Sequence, residues 1–137
     1  MPSRVYADTS AMAKLFIAER ETFDLRQWLA DLPKLHLVSS ALLAVELLRL
    51  LRLVNPATVT SAERFLAADV DIVEITPPVL DDAATMPPPR LRTLDAIHLA
   101  TALDLGASVD IFLTYDKVLI EAARATGLTV ASPGAWY

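Results

Sequence analysis

The stretch VYADTSAMAKLF, residues 5–16, joins a short apolar run to a mostly apolar segment and places Asp8 at the joint. Val5–Ala7 reads as a buried strand and Ser10–Ala18 as a helix. An acid between two segments that favour burial is either a helix cap or a site residue. Thr9 and Ser10 beside it suit both roles.

Working outward, the pattern repeats. Phe23–Leu29 is a helical segment with Phe23, Trp28 and Leu29 as its expected buried side. Leu35–Val38 is a short strand, and Ser39 or Ser40 is placed to cap a long helix that Asn55-Pro56 ends near Val54. Ser61–Ala68 is helical, and Val70–Ile75 alternates apolar and acidic residues as a strand near a sheet edge does. Pro77-Pro78 opens a short helix, and Pro87-Pro88-Pro89 is a stiff loop. Thr93 caps a helix through Leu105 that Gly106 stops, and Ile111–Thr114 is a strand. Asp116 caps a helix to Thr126, and a last short strand lies in LTVAS, residues 128–132. Strands alternating with helices predict one α/β domain of three layers around a mostly parallel sheet.

Composition narrows the classes. Of 137 residues, 54% are hydrophobic, and the mean hydropathy is +0.42, which calls for elements buried on both faces or an apolar surface kept for a partner. The most membrane-like stretch, Leu35 to Val54, is interrupted by Glu46, Arg49 and Arg52, so no membrane span is expected. Asp8 breaks any apolar leader, and the cytoplasm is the expected compartment. The absence of cysteine excludes disulfides and thiolate metal sites. A net charge of −5 argues against binding nucleic acid over the whole surface and leaves room for a local basic patch or a metal-neutralised acidic site.

Ligands of an open parallel sheet collect outside the carboxyl ends of its strands. Asp8 and Asp116 both follow strands, so they can share one rim. Glu46 sits among apolar neighbours in SALLAVELLRLLRLV, and Asp95 in the first turn of LRTLDAIHLATALDLG. A buried, unpaired carboxylate costs several kcal/mol or takes up a proton, so each acid needs a partner. Taken singly, Asp8 and Asp116 fit as N-caps, Asp95 as a dipole-favoured first-turn acid and Glu46 as a partner of Arg49. Taken together, four converging carboxylates repel one another and call for a hard divalent cation such as Mg²⁺. Such a centre suits phosphodiester hydrolysis by an activated water, whereas two histidines, His36 and His98, poorly support a zinc-type site.

Four motifs then carry a resemblance: ADTSAMAKL (7–15), SSALLAVELLR (39–49), LRTLDAIHLATAL (91–103) and FLTYDKVLIEAARATGL (112–128). In this order they resemble the successive motifs of PIN-domain ribonucleases, in particular the VapC-type toxins of toxin–antitoxin pairs. The resemblance runs from Val5 to about Gly134 and is weakest from Asn55 to Pro89. It implies a single PIN-like domain over residues 1–137, with Asp8, Glu46, Asp95 and Asp116 as its acidic, metal-binding and catalytic quartet. It further implies an endoribonuclease dependent on Mg²⁺ or Mn²⁺ that cuts structured RNA, either tRNA or ribosomal RNA. Hydrolysis by a metal-activated water is expected to leave a 5′-phosphate and a 3′-hydroxyl. A cognate VapB-type antitoxin and a homodimer complete the expectation.

Other residues carry two readings each. Thr9, Ser10 and Thr114 orient water or phosphate, or cap helices and turns. His98, one turn beyond Asp95, is a hydrogen-bonded core histidine, with a catalytic role as the alternative. Arg49, Arg90 and Arg92 contact RNA phosphates or are solvated; Trp28, Trp136 and Tyr137 are expected to pack. Two rival functions stand beside the nuclease. A catalytically silent PIN-fold binding module would lack metal affinity. A phosphorelay receiver domain needs a phosphoacceptor Asp after a central strand and a Lys after the last, and neither is supplied here.

Overall fold

The computed structural model describes residues 2–137. Its frame is a five-stranded sheet, parallel throughout, of β1 (Ser3–Ala7), β2 (Leu35–Ser40), β3 (Val70–Val73), β4 (Ile111–Leu113) and β5 (Val130–Ala131). The spatial order is β3-β2-β1-β4-β5. The chain therefore builds outward from β1 to one edge, then returns to place β4 on the other side of β1. The boundary between β1 and β4 is the switch point at which parallel sheets open a crevice. Tyr6 lies opposite Phe112 and Ala7 opposite Leu113, so Asp8 and Thr114 leave adjacent strands at the same level.

Side-chain alternation along the strands separates two cores. Val5, Ala7 and Leu113 pack with α1 (Thr9–Ala13), α2 (Thr22–Asp31), α3 (Leu42–Val54) and α4 (Val59–Ala68). Tyr6 and Phe112 pack with α6 (Thr93–Leu105) and α7 (Lys117–Ala125), while α5 (Pro77–Ala84) leans on α6. The expected three-layer arrangement is present, with β3 at one edge as its mixed pattern predicts. Among the described residues no helix is long and apolar enough to cross a membrane.

Several local expectations are revised. The first helix stops at Ala13 instead of Ala18, because the chain tightens into turns from Lys14 to Phe16. Its carbonyls beyond that point are taken by side chains: Thr22 Oγ1 donates to Lys14 C=O at 2.9 Å and Asn55 Nδ2 to Phe16 C=O at 3.1 Å. Phe23 is 71% exposed, and Leu25 supplies the buried contact of α2. Ser39 and Ser40 belong to β2, though Ser40 Oγ still accepts the Leu42 N–H at 3.1 Å. Thr93 is the first residue of α6, and Arg92 stands at its N-cap without a side-chain cap.

Candidate active site

Asp8 is 2% exposed and caps α1 through a 3.0 Å bond from the Ala11 N–H to Oδ1. The same oxygen accepts Ser10 Oγ–H at 2.7 Å, and Oδ2 accepts Thr114 Oγ1–H at 2.6 Å. Each hydroxyl has one proton, and each spends it on Asp8. The 3.4 Å approach between the two hydroxyls is therefore simple contact. Their lone pairs take the Tyr115 and Asp116 N–H groups at 3.0 and 3.2 Å. Ser10 and Thr114 thus tie the end of β1 to the turn after β4, across the switch point. Burial pushes the Asp8 carboxyl above its usual range, a shift that His98, Thr114, Ser10 and Ala11 only partly offset.

Glu46 faces inward from α3. Its Oε1 accepts Thr9 Oγ1–H at 2.7 Å and lies 2.8 Å from His98 Nε2. His98, 1% exposed on α6, meets the Tyr6 hydroxyl at 2.7 Å through Nδ1. Burial opposes ionisation of Glu46, yet the bonds from His98 and Thr9, with His98 charge, hold its carboxyl below the usual range. An ionised Glu46 only accepts, so Nε2 carries a proton, while the Tyr6 hydroxyl, able to donate or accept, meets Nδ1. The result is a buried line, Tyr6–His98–Glu46–Thr9, crossing from sheet to α3. Tyr6 was not among the candidates read from sequence. Its signal was a hydroxyl in mid-strand, which once buried requires a partner.

Asp95 and Asp116 are less braced. Asp116 caps α7, its Oδ1 accepting the Leu119 N–H at 2.9 Å. Asp95 accepts no hydrogen bond among the described residues and is half-buried in the first turn of α6. Its carboxyl is pushed up to about 6 by burial first, then by the negative charges of Asp116 and Asp8, with His98 opposing and Glu46 adding. The four acids therefore act on one another across the crevice.

The arginines divide. Among the described residues Arg49 makes no ion pair with Glu46; it lines an open groove of the exposed side of α3 with Ala44, Val45, Leu48, Arg52 and Leu53. Arg90 is committed to Glu121 at 2.9 Å, and Arg92 is exposed one turn before Asp95. Trp28 is half-buried against the first core, whereas Trp136 is exposed, contrary to its expected packing.

Among the described residues no three His, Asp or Glu side chains stand where one ion is reached by all. Asp8 is drawn onto its hydroxyls and Glu46 onto His98. The donor set nonetheless fits a hard divalent cation: only oxygens, mutually repelling, with Asp95 biased toward its protonated form by the rest. Mg²⁺ is held by one or two carboxylates with water completing its shell, which four acids spaced around a crevice provide.

The molecule is thus a parallel α/β domain that carries acids from the end of β1, from α3, from α6 and from the β4–α7 turn around its switch point. The PIN domain family model matches residues 5–125. The chain is 41% identical over 133 residues to ribonuclease VapC47 of Mycobacterium tuberculosis, covering 96% of this chain and 98% of that protein. Among solved structures, M. tuberculosis VapC20, described as a sarcin–ricin loop cleaving toxin, matches with a TM-score of 0.73 at 20% identity, over 94% of this chain and 99% of that one. A toxin–antitoxin complex from Klebsiella pneumoniae matches with a TM-score of 0.67 at 20% identity, over 94% of this chain and 97% of that one. The chain belongs to the PIN-domain family, on its branch of VapC ribonucleases.

Proposed function

We propose that this chain is a divalent-metal-dependent endoribonuclease, the toxin of a toxin–antitoxin pair, that hydrolyses phosphodiester bonds in structured RNA such as tRNA or ribosomal RNA. The observation that carries the reading is the gathering of Asp8, Glu46, Asp95 and Asp116 around the switch point, where burial first and the charges of its neighbours after it push the Asp95 carboxyl up to about 6. Such a set of acids is costly to the metal-free fold and becomes intelligible when a cation neutralises it. Mg²⁺ or Mn²⁺ is the cofactor of this reading. When bound, such an ion activates water and neutralises charge on the leaving oxygen.

The chain's own residues do the rest. Ser10, Thr114 and the Ala11 N–H fix both oxygens of Asp8, so its position does not depend on the ion. Thr9 and His98 fix Oε1 of Glu46, while its other oxygen has no hydrogen-bond partner among the described residues. Asp95 and Asp116, held by fewer contacts, would be the residues that hold the ion, which would supply the charge neutralisation the acids need. Arg92 takes an RNA phosphate at the mouth, a role that Arg90 gives up to Glu121. The likeness to toxin–antitoxin complexes supports a VapB-type antitoxin, and the exposed apolar residues Val45 and Leu53 of α3, flanked by Arg49 and Arg52, give it a surface. A homodimer and a single domain over residues 1–137 belong to the same proposal.

The test is sequencing of RNA ends after induced expression, wild type beside Asp95→Asn. New 5′-phosphate ends confined to one or a few structured RNAs, absent with the variant, are expected. Identical RNA ends in the two samples overturn the proposal.

A further inference from the structure

Trp136 is 83% exposed, an unusual setting for so large an apolar side chain, yet it is held in place. The Arg20 guanidinium meets Glu21 Oε1 at 3.3 Å through one Nη, keeps 57% of its side chain exposed and lies 4.4 Å from the indole centroid, and Lys117 Nζ lies 4.8 Å from that of Tyr137. The segment is fastened to the site's own turn. Tyr137 donates its hydroxyl to Tyr115 C=O at 2.6 Å, Tyr115 to Pro133 C=O at 2.7 Å, and Ser132 to Thr114 C=O at 2.5 Å. Gly134, at φ +83°, turns the chain tightly against α2, where a Cβ would stand 2.7 Å from Asp24 Oδ2. Residues 132–137 therefore form a strap between the residues preceding Asp116 and the loop carrying Arg20.

We propose that this strap is a nucleotide-binding rim, on which an unpaired RNA base stacks against Trp136 while Arg20 and Lys117 take the flanking phosphates. The proposal rests on the ribonuclease reading and adds to it where substrate is held. Arg20 covers one face of the indole, and its exposure leaves apolar surface for a second planar group. Aromatic faces paired with cations are the surface that unpaired bases use. The need is electrostatic: the crevice acids and a net charge of −5 repel a phosphodiester chain, so cations beside the crevice must retain it. Lys117 adjoins Asp116 in sequence and its Nζ lies over the Tyr137 ring, so a phosphate on it lies on the strap at the Asp116 end of α7.

The test is fluorescence anisotropy with a fluorescein-labelled ten-nucleotide oligouridylate in Mg²⁺ buffer. The full chain carries Asp95→Asn so that RNA is not consumed. Adding Trp136→Ala is expected to raise Kd about tenfold, the scale of one lost base–aromatic stack, while Trp136→Phe stays within about threefold. Arg20→Ala is expected to weaken binding and to flatten its salt dependence by about one phosphate contact. Leu80→Ala, an exposed apolar residue of α5, is the control and is expected to bind as the parent does. A Trp136→Ala protein that melts normally and binds within twofold of the parent overturns the proposal. So does a variant that keeps RNA affinity while losing a co-expressed protein inhibitor, because the rim then serves a protein partner. The two readings fail separately. A wild-type chain that cuts no RNA with Mg²⁺ or Mn²⁺ sinks the nuclease, and unchanged anisotropy sinks the rim.

Discussion

Glu46 and Asp95 face the same crevice from opposite sides of the fold and are held in opposite states. Glu46, on α3, has two donors on one oxygen and is kept ionised below the usual carboxylate range. Asp95, on α6, has no donor among the described residues and is pushed up to about 6. Burial opposes ionisation of both; the presence or absence of hydrogen-bond donors decides the outcome. The difference separates an acid whose charge the protein's own donors stabilise from one whose charge is opposed by its surroundings and would be favoured by a cation.

The sharpest way to break that comparison is to remove Asp95. Asp95→Asn keeps the shape and leaves no buried donor orphaned, since no hydrogen bond among the described residues holds the carboxylate. Cleavage of a fluorogenic RNA is expected to fall about 10³-fold, the loss of several kcal/mol of charge stabilisation in the transition state. Folding is expected to survive, as measured by thermal melting. Asp8→Asn is expected to abolish cleavage as well, but it places an amide among three donors and lowers stability besides.

Removing His98 attacks the other side. His98→Ala leaves a cavity, a Tyr6 hydroxyl short of one partner and a Glu46 with one donor, and is expected to cost about 3 kcal/mol in urea unfolding. His98→Gln keeps a donor that can reach Glu46 and is expected to recover part of that stability and most of the metal affinity measured by calorimetry. Equal metal affinity in the Ala and Gln variants would show that His98 packs without positioning Glu46.

The pH dependence of the metal-free fold follows from the two signs. Asp95, raised in the folded state, binds its proton more tightly there than in the unfolded chain. Its contribution is full below the ordinary carboxylate range near 3.8 and is lost as pH rises through about 6. Glu46, lowered in the folded state, contributes above the ordinary 4.5 and loses that contribution as pH falls below it. Stability without metal is therefore expected to peak near pH 5 and to decline toward pH 7. Asp95→Asn is expected to reduce the decline, the remainder coming from Asp8, which burial also raises, and Mg²⁺ to reverse it in the wild type. Urea unfolding from pH 4 to 8 with and without Mg²⁺ measures all of this.

What could be read from sequence divides along the same line. Asp8 and Asp116 were visible because strand ends and helix starts are local features, and the resemblance in LDAIHLATAL marked Asp95. Glu46 was visible as an acid out of place, but its partner was not. Arg49 lies three residues away and was the natural local choice, whereas His98 lies 52 residues away and is delivered by the crossover that brings α6 against the sheet. Tyr6 joins His98 across 92 residues for the same reason. Phe23 misled because a helix of ten residues with few apolar positions has a weakly marked buried side, and Leu25 took it. The pairing of Arg90 with Glu121 depends on the loop conformation around Pro87–Pro89, which residue pattern does not encode.

The smallest effects come from the hydroxyls, and they sharpen the comparison most finely. Thr114→Val removes the proton held by Asp8 Oδ2 and the acceptor of the Asp116 N–H, while keeping the side chain's shape. Asp8 is almost fully buried, so the loss is not made good by water. A destabilisation of about 1–2 kcal/mol is expected, with weaker metal binding as Asp8 holds its proton more firmly. Thr9→Val removes one of two donors to a carboxylate on the wetter side of the crevice, where His98 and solvent remain. About 0.5–1 kcal/mol is expected there, with little change in metal affinity. Calorimetric titration of both variants distinguishes the two positions. If Thr9→Val weakens metal binding as much as Thr114→Val does, the donors on Glu46 matter as much as those on Asp8, and the ion is shared more evenly among the four acids than the present bracing implies.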